Sequence, residues 1–172
     1  MSIQKKSILL FLAAENFCEQ EFLTVKNIFL RKGFNLFISS DANSLCVGGN
    51  GMKVKPDVNI YNINKNNFGA FVIIGGKGII NYWDNQILKS SVLEFNKNNK
   101  IVASICAAGV IIAKSGIPNQ KEGVVYPDYK KEFDRNGVIY KDQDVVVEGK
   151  IITAKNPASS VEFADAILNR LN

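Results

Sequence analysis

Ile101-Val102-Ala103-Ser104-Ile105-Cys106-Ala107-Ala108-Gly109 is the stretch whose reading decides the fold. Its first five residues form a short, largely apolar run, the pattern of a strand buried on both faces. Small residues and a glycine follow, the pattern of a sharp turn into a helix. A thiol therefore stands at a strand-to-helix corner, facing the backbone N–H groups that open the next helix. Their partial positive charge favours the thiolate, so the corner is expected to hold a reactive Cys106. The chain contains no histidine. No Cys-His dyad, Ser-His-Asp triad or histidine-ligated metal can be assembled from its own side chains, which leaves carboxylates, hydroxyls and backbone amides as partners for the sulfur.

Outward from this corner, short apolar runs alternate with longer segments of helical period, the signature of an α/β protein with a mostly parallel sheet covered on both faces. Strands are expected at residues 7–13, 34–39, 70–74, 101–105, 144–147 and 151–154. Helices are expected at 19–32, with Phe22, Val25 and Phe29 on one face and Gly33 as its stop, and at 82–96, with Trp83, Ile87, Val92 and Leu93 toward the sheet. Two more are expected at 128–135 and 157–171, the last with a proline in its first turn. The glycines Gly48, Gly49 and Gly51 interrupt a β-rich stretch at 45–60, which reads as a small antiparallel hairpin outside the main sheet. No internal repeat is visible.

The 172 residues suit a single domain spanning 1–172, able to bury roughly 70% of the surface of the extended chain. Hydrophobic residues make up 47% and charged residues 22%, which argues for a folded globular protein and against long disorder. The net charge of +5 is dispersed among asparagines, as in Asn64-Lys65-Asn66-Asn67, without a basic stripe, so nucleic acid is not an expected partner. Met1 to Lys6 is polar, and the apolar stretch 8–14 is too short to span a membrane and carries no cleavage pattern, so a cytoplasmic protein without a membrane partner is expected. Cys18, Cys46 and Cys106 are odd in number and far apart, which indicates neither a zinc site nor a disulfide framework.

Ligands of open α/β sheets bind at the carboxyl ends of the strands. Two loops there carry the chemistry. Gly75-Gly76 offers backbone free of Cβ that can turn an N–H toward a neighbouring loop, or can simply turn the chain. As a nucleotide loop, Gly76-Lys77-Gly78 lacks both the dinucleotide and the phosphate-loop pattern. Cys106 could equally be a small buried hydrophobe. Glu21, in the first turn of the first helix and on the same edge, shifts the balance toward chemistry. Its macrodipole benefit at a helix start is about 0.3 to 1 kcal/mol, whereas two negative charges about 4 Å apart repel by roughly 4 kcal/mol at an effective dielectric near 20. A Cys106–Glu21 pair should therefore hold one proton between them, with the amides favouring thiolate and Glu21 donating to sulfur.

These residues carry a resemblance that covers essentially the whole chain. Val102-Ala103-Ser104-Ile105-Cys106, Glu21 twelve residues before Gly33, Gly75-Gly76 after an apolar strand, Tyr126-Pro127 and Pro157-Ala158-Ser159-Ser160-Val161-Glu162-Phe163-Ala164 together resemble the ThiJ/PfpI superfamily. The resemblance implies a flavodoxin-like three-layer sandwich with a nucleophile elbow. It also implies Cys106 as nucleophile, Glu21 as its acidic partner, the N–H groups of Gly76 and Ala107 as oxyanion donors, and Gly75 and Tyr126 as pocket residues. The departures are specific. Ala107 stands where the protease-like branch has a histidine, Tyr126 where the deglycase-like branch often has one, Cys18 where relatives often have an acid, and Ala108-Gly109 where Gly-Pro is common.

Three functional readings follow. In one, Cys106 and Glu21 act on small reactive carbonyls such as methylglyoxal, as a glyoxalase or deglycase does, with no metal or organic cofactor. In another, the chain is a non-catalytic stress or chaperone protein that senses oxidants through Cys106. A peptidase is the third, and it lacks a base to activate the thiol. The resemblance further implies a homodimer through the first helix and the Gly-rich hairpin. Phe17, Phe22 and Met52 are candidates for that surface, with ordinary core packing as the alternative for each.

Overall fold

Unbroken runs of isoleucine, leucine, valine and phenylalanine cannot leave either face of a strand in water, and they account for the centre of this molecule. The computed structural model describes residues 7–171; Met1 to Lys6, read from the sequence as a polar N-terminus, lie outside the described residues. From the N-terminal side the chain forms β1 (Ser7–Phe11), β2 (Glu15–Phe17), α1 (Glu19–Arg31), β3 (Asn35–Ser40), β4 (Cys46–Gly48), β5 (Lys53–Val54), β6 (Val58–Asn59) and β7 (Ala70–Ile73). It continues through α2 (Gln86–Lys97), β8 (Ile101–Ile105), α3 (Gly109–Ser115), β9 (Glu122–Gly123), α4 (Lys130–Arg135), β10 (Ile139–Tyr140), β11 (Val145–Glu148), β12 (Ile151–Ala154) and α5 (Ser160–Leu171).

Seven strands make one sheet in the order β11-β12-β8-β7-β1-β3-β6. All neighbours are parallel except β11 and β12, which pair antiparallel. Alternation along β1 sorts the two faces. Ile8 and Leu10 pack with Phe22, Val25 and Phe29 of α1 and with Phe163 and Ile167 of α5. Leu9 and Phe11 pack with Leu88, Val92 and Phe95 of α2 and Ile111 of α3. At about 1.5 to 3 kcal/mol for each large apolar side chain removed from water, these two layers hold the sheet as a sandwich. The register is fixed because a one-residue slip would exchange the faces.

Several boundaries differ from those expected. The stretch at 45–60 is not one hairpin outside the sheet: β4 and β5 pair antiparallel, β2 adds a parallel strand to them, and β6 instead extends the main sheet beside β3. The helix expected from residue 82 starts at Gln86, because Lys77–Tyr82 forms a 3-10 turn and the Asn85 side chain accepts the N–H groups of Ile87 and Leu88, both at 3.0 Å. Asn85→Ala should therefore cost about 1 kcal/mol, read as a lower urea midpoint with an unchanged slope. Leu93 lies on the solvent side of α2, 46% exposed. Phe17 and Phe22 are core, edge to face at 5.6 Å, which removes them as candidates for a subunit surface.

One close approach fixes how β2 lies over the turn after β7. A Cβ at Gly78 would be driven into the carbonyl oxygen of Glu15, a backbone atom that cannot swing away. Gly78→Ala is expected to destabilise by about 3 kcal/mol, a fall of about 6–12 °C in Tm for a chain of this size, measurable by scanning calorimetry.

Candidate active site

The candidate site residues gather where β1, β7 and β8 end. β8 runs into a 3-10 turn at Cys106–Ala108 before α3 begins at Gly109. Cys106 takes φ of +59°, a left-handed conformation that costs a non-glycine residue on the order of 1–3 kcal/mol and persists only where its surroundings enforce it. Part of that enforcement is visible: the Trp83 indole N–H donates to the carbonyl of Ala107 at 2.9 Å, and the Trp83 ring meets Tyr129 edge to face at 5.0 Å. The elbow is thus braced from its helical side.

Glu21 comes from the first turn of α1 and is wholly enclosed, with no exposed surface. Its Oε2 accepts the N–H of Gly75 at 2.8 Å, while Oε1 has no partner of hydrogen-bond geometry. The thiols of Cys106 and Cys18 both interact with this carboxyl. Glycine at 75 is required by the crowding. A Cβ there would stand 2.8 Å from each of Cys106 Cβ, Glu21 Oε2 and the Ile105 carbonyl oxygen. Gly76, at φ of +111°, would press a Cβ to 2.5 Å from the Cys18 nitrogen. Cys18 itself donates its N–H to the carbonyl of Gly75 at 2.9 Å.

A cavity of about 380 Å³ opens onto these groups. Cys18, Glu21, Gly76, Cys106, Ala107 and Tyr126 line it together with Lys77, Asp128, Tyr129 and Pro157. Every site residue expected from the sequence is therefore at this cavity, Gly75 through its bond to Glu21. Lys77, Asp128, Tyr129 and Trp83 were not anticipated as parts of the site. Tyr129 had a signal, since it follows Tyr126-Pro127 by two residues in the turn that carries both rings, 6.0 Å apart. A larger groove of about 630 Å³ between α1 and α5, lined by Thr24, Asn27, Arg31 and Asp165 among others, has no cysteine in its lining. Among the described residues, no group of three or more Cys, Asp and Glu could hold a metal ion, and no helix is long and apolar enough to cross a membrane.

The electrostatics add an opposing effect to the one expected from the helix dipole. Burial, then the charge of Glu21, pushes the Cys106 thiol up to about 12, against the lowering effect of the Ala107 N–H. Burial likewise raises Glu21 to about 7, opposed by the Gly75 N–H and the two thiols. Cys18 is raised to about 11 by burial and by Glu21. Enclosure and the neighbouring carboxyl thus work against the helix dipole, which by itself favours the thiolate. The dipole is weakened at the corner itself: the residues after Cys106 form a 3-10 turn, and the helix beyond has seven residues, short and displaced from the sulfur. Glu21 is left as the group that changes charge near neutrality.

An open α/β sheet with a thiol at a strained strand-to-helix corner, beside an enclosed carboxyl, defines a nucleophile-elbow protein. The chain belongs to the DJ-1/PfpI family, whose model matches residues 6–170. It is 29% identical over 149 residues to a protein named deglycase from Pyrococcus horikoshii, covering 87% of this chain and 90% of that one. It is 24% identical over 167 residues to a protein named glutathione-independent glyoxalase from Caenorhabditis elegans, covering 97% and 89%. Among solved structures, a ThiJ/PfpI domain protein from Brachyspira murdochii superposes with a TM-score of 0.94 at 29% identity, over 97% of this chain and 96% of that one.

Proposed function

We propose that the chain is a cofactor-independent cysteine enzyme that converts small reactive dicarbonyls, of which methylglyoxal is the simplest test case, to hydroxy acids. The observation that carries this reading is the enclosed carboxyl of Glu21 in the cavity that also exposes Cys106. A thiol at about 12 attacks a carbonyl only if its proton is taken as the bond forms, and Glu21 is the base in reach. Sulfur adds to the aldehyde carbon, the thiol proton passes to Glu21, and the Ala107 and Gly76 N–H groups receive the developing oxyanion. Glu21 passes that proton on to the oxyanion and, ionised again, moves the hydrogen of the former aldehyde carbon as a proton to the former ketone carbon, giving a thioester of the hydroxy acid. Water releases the acid and restores the thiol, so one dicarbonyl and one water yield one hydroxy acid.

Relatives named deglycase and glyoxalase support this class of substrate. The absence of histidine costs a second acid–base group, worth roughly 10² to 10⁴-fold, so turnover is slow. A peptidase has less support, because Glu21 would have to serve as both the base for the thiol and the acid for the leaving amine. Three cysteines without disulfide partners fit a reducing compartment such as the cytoplasm, and we propose that the protein works there as a homodimer. The test is direct: purified protein and methylglyoxal, without added thiol, should yield lactate in step with methylglyoxal loss. Loss without lactate, or no loss, would sink the reading.

A further inference from the structure

The cavity holds one chemically competent group that the proposed carbonyl chemistry does not use, and that group is Cys18. Its backbone is extended at the residue that precedes α1, its side chain makes no capping hydrogen bond, and it is half-buried on the same cavity as Cys106. The dipeptide Gly75-Gly76 approaches both cysteines. The Cys18 N–H is bonded to the Gly75 carbonyl, and the position of a Gly75 Cβ falls 2.8 Å from Cys106 Cβ. Both thiols interact with the carboxyl of Glu21, whose Oε1 is buried and unpaired. The two sulfurs also feel one another electrostatically. Cys46, by contrast, is fully enclosed and does not line this cavity.

We propose that Cys18 is a resolving thiol, and that oxidation of Cys106 by a hydroperoxide ends in an intramolecular Cys18–Cys106 disulfide. In the first step the Cys106 sulfur attacks the peroxide and the O–O bond breaks. Sulfur is oxidised to sulfenic acid, the peroxide is reduced to an alcohol (to water for hydrogen peroxide), and the thiol proton goes to the leaving oxygen. In the second step the Cys18 sulfur attacks the sulfenic sulfur, Glu21 takes the Cys18 proton and delivers it to the departing hydroxide, and water leaves. Two thiols and one hydroperoxide thus give one disulfide, one alcohol and one water. A dithiol reductant reverses the state. Closing the bond requires the sulfurs to meet at about 2.05 Å, which a rotation of the uncapped Cys18 side chain and a small shift of the first turn of α1 would supply. The disulfide would shield Cys106 from over-oxidation and close the cavity to carbonyl substrates.

Peptide mapping of the intact chain after a several-fold molar excess of hydrogen peroxide, enough to supply both oxygens of a sulfinic acid, and alkylation tests this. The expected product has lost the mass of two hydrogens, yields a linked Cys18–Cys106 peptide pair, and returns to the starting mass with dithiothreitol. Cys18→Ser should instead carry two added oxygens on Cys106 that dithiothreitol does not remove. Wild-type protein that goes to that two-oxygen product with Cys18 still alkylated, that links Cys46, that links two chains, or that leaves both thiols free would overturn the proposal. The wild-type map decides the matter even if the variant fails to fold. None of these readouts depends on methylglyoxal turnover, so failure here leaves the carbonyl reading standing, and the converse holds.

Discussion

Serine in place of Cys106 is expected to lower methylglyoxal turnover by at least about 10³-fold, the scale on which removal of an attacking group is felt. The argument is one of proton affinity. Glu21, at about 7, can bridge to a thiol at about 12 because the sulfur becomes a better acid as it bonds to carbon. An alcohol at the same corner is a far weaker acid, and no imidazole is present to make up the difference. The backbone donors of the elbow are untouched, so any residual rate measures what they contribute alone. Lactate formation by wild-type and Cys106→Ser protein under identical conditions is the comparison, and equal rates would put the chemistry elsewhere.

Glu21→Gln should separate activity from stability in opposite directions. Losing the base lowers kcat/KM by roughly 10² to 10⁴-fold, and it removes the rise in wild-type kcat/KM through about pH 7 that ionisation of Glu21 produces. Stability moves the other way. The carboxyl is raised from 4.5 in the free side chain to about 7 in the fold, so between these values the native state binds more protons than the unfolded chain. The stability due to the protonated form is complete below pH 4.5 and is lost as pH climbs through 7, by about 3 kcal/mol in all. Glutamine cannot ionise. Urea unfolding should show the wild type weakening between pH 5 and pH 8 while the variant stays level, the variant being the more stable at pH 8. Parallel curves would mean that Glu21 does not hold its proton in the fold.

The sheet was legible because its signal is local. Runs such as Ile8 to Phe11 and Ala70 to Ile73 announce two-faced burial by composition alone, and the turn at Cys106 follows from small residues placed after one. Glu21 was legible for a different reason, namely its position in a first turn at the carboxyl edge. What escaped was non-local. β6 joins the main sheet through Asp57, whose backbone N–H and side chain both bond Ile38, and no periodicity in 45–60 reports that. Leu93 was assigned inward because its neighbour Val92 is, and one step along a helix turns a side chain by about 100°. At Cys106 the sequence shows the dipole that lowers a thiol but not the enclosure that raises it. Tyr129 and Trp83 enter the site through tertiary contacts with Ala107 and with each other, which spacing cannot encode.

The borders of the main sheet carry a last consequence. On one side the sheet stops at β6, two residues long and preceded by Lys55-Pro56, with Asp57 occupying the ladder position at Ile38. On the other it stops at β11, which turns back through Glu148-Gly149-Lys150. Short margins flanked by charge and proline are poor templates for a foreign strand. Two copies of this chain are therefore expected to meet through side-chain surfaces and not by zipping backbone to backbone, which leaves the molecule little inclination toward amyloid-style stacking.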